Sequence, residues 1–232
     1  MTKLPSRGAK GLRRSLHFVP GGNDRMFEKA LNLPADSLIL DLEDSVTPAN
    51  KEAAREQVCN WIKDTNFENQ ECLVRINPLD TPWGFKDLRA VAESLPDGIV
   101  LPKVARKKEV MEIDGVISQV EREKQIEEGS VSFVLIGTEV PEAVFNLHKM
   151  ARIPRVDAIT WGAEDLSGVL GAKAKRDSHG NYLEVFSYVR ATCLLAAVAG
   201  NADPIDAVYV DIKNPDGLIQ PHSYTHLTLP TK

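Results

Sequence analysis

Seven short apolar runs, separated by longer stretches of helical spacing, set the tightest limit on how this chain can fold. The runs fall at 16–20, 37–42, 72–77, 98–103, 132–137, 158–162 and 207–211. They are rich in Val, Ile and Leu along most of their length rather than alternating with polar residues. Strands of that kind are buried on both faces, which is the habit of parallel sheets covered by helices. Helices are predicted between them: one capped by Asn23 or Asp24 and ending near Leu31, one from Asn50 to about Lys63, and one near 85–93. Three more follow at 107–127, after Pro141, and at 183–199. A strand–helix alternation sustained over the whole length argues crossover connections in one parallel sheet.

The strands also share an ending. Asp41, Glu43 and Asp44 close the second, Arg75 and Asn77 the third, and Lys103 the fourth. Glu139 follows the fifth, Glu164 and Asp165 the sixth, and Asp211 closes the seventh. Polar groups gathered at the carboxyl ends of parallel strands are the pattern of an α/β (β/α)8, or TIM, barrel, whose catalytic rim lies at that end. No further strand pattern follows the seventh. Residues 219–232 carry no acidic residue and no helical periodicity, with Pro221 and Pro230 near the ends of the stretch. The expectation is a barrel domain over 1–218, truncated after the seventh strand with its C-terminal part missing, and a non-native or disordered tail over 219–232.

Composition removes several function classes. A net charge of −5 over 232 residues lacks the basic field of a nucleic-acid binder. No apolar run approaches the roughly 20 residues of a membrane span. Cys59, Cys72 and Cys193 show no paired spacing, so they read as buried thiols rather than disulfides or a zinc site. The basic start (Lys3, Arg7, Lys10, Arg13, Arg14) has no apolar segment behind it and does not read as a secretory signal, so a cytoplasmic protein is expected.

Three positions carry chemistry. Glu139 and Asp165, on adjacent strands of one rim, form a pair of hard oxygen ligands suited to magnesium; Glu142 and Glu164 are rivals for the same part. Arg75 inside a central strand calls for a partner: either a substrate carboxylate held by two parallel hydrogen bonds, or a structural ion pair with Glu43 or Asp44. Asp41 and Glu43 share a strand face, placed to orient metal-bound waters or to pair with Arg75 or Lys103. The turn at 19–24 leads into a helix N-terminus where Arg25 and Lys29 could join backbone amides around phosphate; an ordinary βα turn has the same pattern. His17, His148 and His179 have no ligand or nucleophile spacing, and no Gly-x-Ser-x-Gly elbow is present.

Taken in order, Arg13-Arg14-Ser15, Phe18-Val19-Pro20-Gly21, Leu40-Asp41-Leu42-Glu43-Asp44, Val74-Arg75-Ile76-Asn77, Leu101-Pro102-Lys103, Thr138-Glu139 and Trp161-Gly162-Ala163-Glu164-Asp165-Leu166 resemble the HpcH/HpaI aldolase and citrate lyase β-subunit family, most closely its CitE-like branch. The resemblance runs from residue 13 to about 218. It implies a magnesium-dependent TIM barrel with Glu139 and Asp165 as metal ligands in preference to Glu142 and Glu164. It also implies Arg75 and the metal-bound Glu139 side at the substrate, with Arg25 and Lys29 near the coenzyme A portion. Asp41, Glu43, Asp44, Lys103 and Asp211 then support the site from behind. The implied activity is carbon–carbon cleavage of a carboxylate-bearing 3-hydroxyacyl-CoA such as malyl-, citramalyl- or citryl-CoA, with coenzyme A arriving as part of the substrate. Alternatives are a pyruvate aldolase on free 4-hydroxy-2-oxo acids, or a non-catalytic acyl-CoA or oxo-acid binder. Members of the family assemble as trimers or hexamers, so a homo-oligomer is expected. Members also continue with Gly-Phe-x-Gly-Lys and Ile-His-Pro segments that have no counterpart here, and the general base stays unassigned.

Overall fold

A computed structural model of the chain describes residues 13–68, 70–209 and 213. The elements run β1 (Leu16–Pro20), α1 (Asp24–Leu31), β2 (Ser37–Asp41), α2 (Lys51–Asp64), β3 (Glu71–Arg75), α3 (Gly84–Ser94) and β4 (Gly98–Leu101). They continue with α4 (Lys107–Glu123), β5 (Ser132–Ile136), α5 (Pro141–Met150), β6 (Val156–Thr160), α6 (Ala163–Val169), α7 (Glu184–Gly200) and β7 (Asp203–Ile205). The strands form one sheet in chain order, every neighbouring pair parallel, which is the strand order of a TIM barrel.

Side chains alternate across each strand, so the sheet separates two apolar layers. One face meets the helices, where Leu38, Leu40, Val74, Ile99, Leu135 and Ile159 pack against Val58, Leu88, Ile113 and Leu147. The other holds a smaller cluster of Ile39, Leu73, Val100, Val134, Ile136 and Ala158, flanked by Leu16, Phe18 and Ile205. Counting two residues on from this inner cluster explains the rim. Asp41 follows Ile39 and Arg75 follows Leu73 on the same face, and the register sets Asp41 beside Arg75 and Arg75 beside Val100.

Counting two residues back reaches the opposite end. Glu71 precedes Leu73 on the inner face and sits beside Ser37, whose hydroxyl donates to it at 2.7 Å. Arg13, 3 % exposed, enters this end of the strands and bonds Glu71 and Asp157 at 2.6 Å each and Asp203 at 3.2 Å. One guanidinium thus ties β3, β6 and β7 together beneath the apolar layer.

Four sequence expectations need correction. The seventh strand is Asp203–Ile205, not 207–211, and Ala207, Val208 and Tyr209 are not strand; Asp211 lies outside the described residues. The real strand was hidden because Pro204 removes a ladder donor and Asp203 and Asp206 break the apolar run, which only an edge position tolerates. The sixth strand is Val156–Thr160, so Trp161 and Gly162 belong to the loop behind it. Glu164 and Asp165 occupy the first turn of a helix, α6, that the sequence reading did not anticipate. The helix 107–127 stops at Glu123. The tail 219–232 lies outside the described residues.

Removing the Arg13 charge strands Glu71 and Asp157 in the interior. Arg13→Met should cost about 3–5 kcal/mol of unfolding free energy, read as a lower urea midpoint. A loss below about 1 kcal/mol would contradict the tie.

Candidate metal and substrate site

The rim is built from loops that leave β2, β3, β4, β5 and β6. Arg75, at the end of β3, turns its Nε and Nη2 to Asp41, bonding Oδ1 at 2.7 Å and Oδ2 at 2.8 Å. Its Nη1 faces Glu43 Oε2 at 3.2 Å and Asp44 Oδ2 at 3.4 Å, and the guanidinium lies 4.9 Å from the Phe18 ring centre. The two-pronged face that the sequence reading reserved for a substrate carboxylate is therefore taken by Asp41. Burial pushes Asp41 up, but the hydrogen bonds and charge of Arg75, with Ser45 and the Glu43 amide, outweigh it and hold the carboxyl below its ordinary range.

Lys103 occupies the centre. Its backbone sits in the left-handed region at φ 55, uncommon for a non-glycine residue. From there its amide donates to Glu139 Oε2 at 2.6 Å, its ammonium donates to Glu43 Oε1 at 2.7 Å, and Asp165 Oδ1 lies 3.5 Å from Nζ. Burial disfavours the ammonium, yet Glu43, Asp165 and Asp44 raise it above the usual lysine range. Burial likewise pushes Glu139 up to about 8, with the negative charges of Glu43 and Asp165 adding to the shift. Desolvation also raises Glu43, whose Oε2 is buried and makes no hydrogen bond.

Glu139 is fixed from behind by the next loop. A Cβ on Gly162 would stand 2.5 Å from Glu139 Cγ, so only glycine lets the loop after β6 pass this close. Thr138 helps by accepting the Gly162 amide at 3.1 Å. The rival carboxylates are engaged elsewhere: Glu142 pairs with Arg106 at 2.6 Å on the surface, and Glu164 pairs with Lys175. Glu139 and Asp165 therefore meet around Lys103, while Glu142 and Glu164 do not. Arg25 and Lys29 are exposed on α1, which leaves β1 at the same rim; Asn23 caps that helix through the Met26 amide at 3.1 Å.

Residues to which the sequence reading gave no role in the site hold the loop after β2. Lys51, 6 % exposed, donates to the Leu42 carbonyl at 2.8 Å and the Glu43 carbonyl at 2.6 Å. Asn77 reaches the same Leu42 carbonyl at 2.9 Å, and buried Asp87 takes both Asn77 nitrogens while Arg55 bonds its other oxygen. The available signal was Lys51 itself: a cation in the first turn of α2 opposes the helix dipole and needs a local reason. Asp206, just past β7, accepts from Trp161 Nε1 at 2.7 Å and pairs with Arg190, joining β6, β7 and α7. It escaped notice because the strand before it did.

Among the described residues no group of three His, Cys, Asp or Glu side chains could hold a metal ion by itself. Two carboxylates brought to one mouth nevertheless suit magnesium, which keeps several waters and shares its shell with substrate. Glu43 Oε2, which faces Arg75 but makes no hydrogen bond, and the raised Glu139 carboxyl mark a mouth crowded with acidic oxygens. These residues fit a hard divalent cation.

A curled parallel sheet of TIM-barrel strand order with an acidic, arginine-bearing mouth at the carboxyl ends of its strands has the layout of a barrel-type enzyme. Residues 14–226 match the model of the HpcH/HpaI aldolase/citrate lyase family, and the chain belongs to that family. It is 34% identical over 209 residues to the citrate lyase subunit beta of Escherichia coli, covering 90% of this chain and 67% of that protein. It is 30% identical over 205 residues to a (3S)-malyl-CoA thioesterase of Cereibacter sphaeroides, covering 88% and 66%. The chain thus spans about two thirds of the length of these relatives. Among solved structures, Mycobacterium tuberculosis CitE with magnesium, acetoacetate and coenzyme A superimposes with a TM-score of 0.73 at 31% identity, covering 90% of this chain and 72% of that one.

If Gly162 exists to let Glu139 through, Gly162→Ala should displace that carboxylate with little harm to the fold. The expected result is at least a tenfold weaker response to magnesium at an unchanged urea midpoint. An unchanged magnesium response would refute the packing role.

Proposed function

We propose that this protein is a magnesium-dependent carbon–carbon lyase that reversibly cleaves a carboxylate-bearing 3-hydroxyacyl-CoA of the malyl-, citramalyl- or citryl-CoA kind. The observation that supports it best is the meeting of Glu139 and Asp165 at one cationic centre while Glu142 and Glu164 are diverted. Relatives carry the same theme: a malyl-CoA thioesterase, citrate lyase β-subunits, and CitE structures with magnesium and coenzyme A.

Glu139 and Asp165 would hold the magnesium, which would supply a Lewis acid for the oxygen beside the breaking carbon–carbon bond. Arg75 receives the substrate carboxylate through Nη1, the nitrogen that Asp41 does not engage and that donates to Asp44 at 3.4 Å. Asp41 and Phe18 keep the guanidinium in place, so little orientation has to be gained when substrate arrives. Asp44, exposed at the mouth, moves off Nη1 as the carboxylate takes its place. Arg25 and Lys29 receive the phosphates of coenzyme A at the exposed face of α1.

A second reading, an aldolase on free hydroxy-oxo acids, draws support from a Mycobacterium tuberculosis CitE structure that holds magnesium and pyruvate, with a TM-score of 0.73 at 31% identity. The reading extends to a cytoplasmic homo-oligomer, trimer or hexamer, in which a second copy would cover apolar side chains such as Phe145 and Leu195 on the outer helices, 72 % and 70 % exposed. No helix among the described residues is long and apolar enough to cross a membrane.

Assays of malyl-CoA, citramalyl-CoA, citryl-CoA and free 4-hydroxy-2-oxo acids, with and without magnesium, separate the two readings. CoA thioesters should be cleaved only with the metal, and Glu139→Gln should lower kcat/KM by about 10³-fold or more, a loss of roughly 4 kcal/mol of transition-state stabilisation. Cleavage of free acids alone would move the assignment to the aldolase, and metal-independent cleavage would end the proposal.

A further inference from the structure

Lys103 is placed where a cation is wanted, and it is itself a cation. Its ammonium bonds Glu43 at 2.7 Å and stands 3.5 Å from Asp165, one of the carboxylates assigned to the metal. Its amide meanwhile holds Glu139, the other, at 2.6 Å. One residue therefore touches three acids of the mouth, and does so from a left-handed backbone that a lysine adopts only at a cost of about 1–3 kcal/mol. A salt-bridge role alone does not call for that backbone, since an ordinary conformation with a long flexible stem could reach Glu43. The left-handed turn is what aims the amide at Glu139 and the stem toward Glu43 together.

We propose that Lys103 is a built-in counter-ion that competes with the divalent metal: its ammonium neutralises Glu43 and Asp165 while the metal site is empty, and it gives up Asp165 when the metal binds. This rests on the assignment of Glu139 and Asp165 as ligands. The physical reason is Coulombic. Three carboxylates around one mouth repel each other in the absence of metal, and a fixed positive charge stabilises that state. The same charge lies within a few ångströms of an incoming cation and lowers its affinity. Glu43 keeps hold of Nζ throughout, so the ammonium swings rather than leaves. Lys103 is accordingly a positioning residue that sets how tightly metal is held and how well the metal-free mouth keeps its shape.

The test uses binding rather than turnover. Manganese binding, read by electron paramagnetic resonance of free Mn²⁺, is compared in the wild type, Lys103→Met, Lys103→Gly and Glu139→Gln, alongside thermal melts without metal. Glycine suits a φ of 55 and keeps the amide on Glu139, so it removes the ammonium and the backbone strain while preserving the turn. Both Lys103 variants should bind Mn²⁺ about tenfold more tightly than the wild type. Lys103→Met should melt lower without metal and gain more from saturating Mn²⁺. Equal or weaker Mn²⁺ binding by both Lys103 variants would overturn the counter-ion role. If the wild type binds Mn²⁺ no better than Glu139→Gln does, the ligand assignment itself is wrong, a failure distinct from the first.

Discussion

Burying acidic side chains around one opening forces the rest of this site into being. Asp41, Glu43 and Glu139 are 2 %, 4 % and 2 % exposed, and a buried carboxylate without a partner carries a desolvation cost of several kcal/mol. Each is answered in a different way. Asp41 receives the two-pronged face of Arg75, Glu43 the ammonium of Lys103, and Glu139 a single backbone amide. Glu139 is thus the least compensated, and its carboxyl is the one driven up to about 8 by burial and neighbouring charge. A hard divalent cation supplies what that arrangement lacks, because its charge offsets the burial and neighbouring acids that disfavour the ionised carboxyl.

The scaffold makes such a concentration of charge possible. On the inner face, a charged tie through Arg13 closes one end, a band of aliphatic side chains fills the middle, and the acidic mouth stands at the other. The two-residue period of the strands places Asp41 and Arg75 in that mouth by the same alternation that places Ile39 and Leu73 beneath them. A shift of one residue in β2 or β3 would turn the charges outward and the core with them, so fold and site share one register. The helices behind the sheet then fix the loops, as Lys51 does for the turn that carries Glu43.

Much of this could be read from the chain alone, for reasons that differ by element. The first five strands coincide closely with the apolar runs, while the sixth begins two residues earlier than its run because Asp157 interrupts the apolar pattern. Glu139 and Asp165 were recognisable because each comes shortly after such a run. The seventh strand was misplaced because a three-residue edge strand containing Pro204 has no apolar signature, while the Ala-Val-Tyr-Val run after it does. Partnerships were harder still. Whether Arg75 would face Asp41, Glu43 or a substrate depends on angles and loop closure that spacing cannot supply, and spacing likewise could not show that Arg106 and Lys175 engage Glu142 and Glu164. The left-handed Lys103 had no sequence signal, since glycine or asparagine is the usual marker of that conformation.

The central claim is that Glu139 and Asp165 form one metal site at the mouth. Its most direct test is a crystal structure soaked with Mn²⁺ and read by anomalous scattering. The account predicts one manganese with an oxygen of each carboxylate at about 2.1 Å and with Lys103 withdrawn from Asp165. Manganese on Glu142 or Glu164, or a mouth left empty at a saturating concentration, would contradict it.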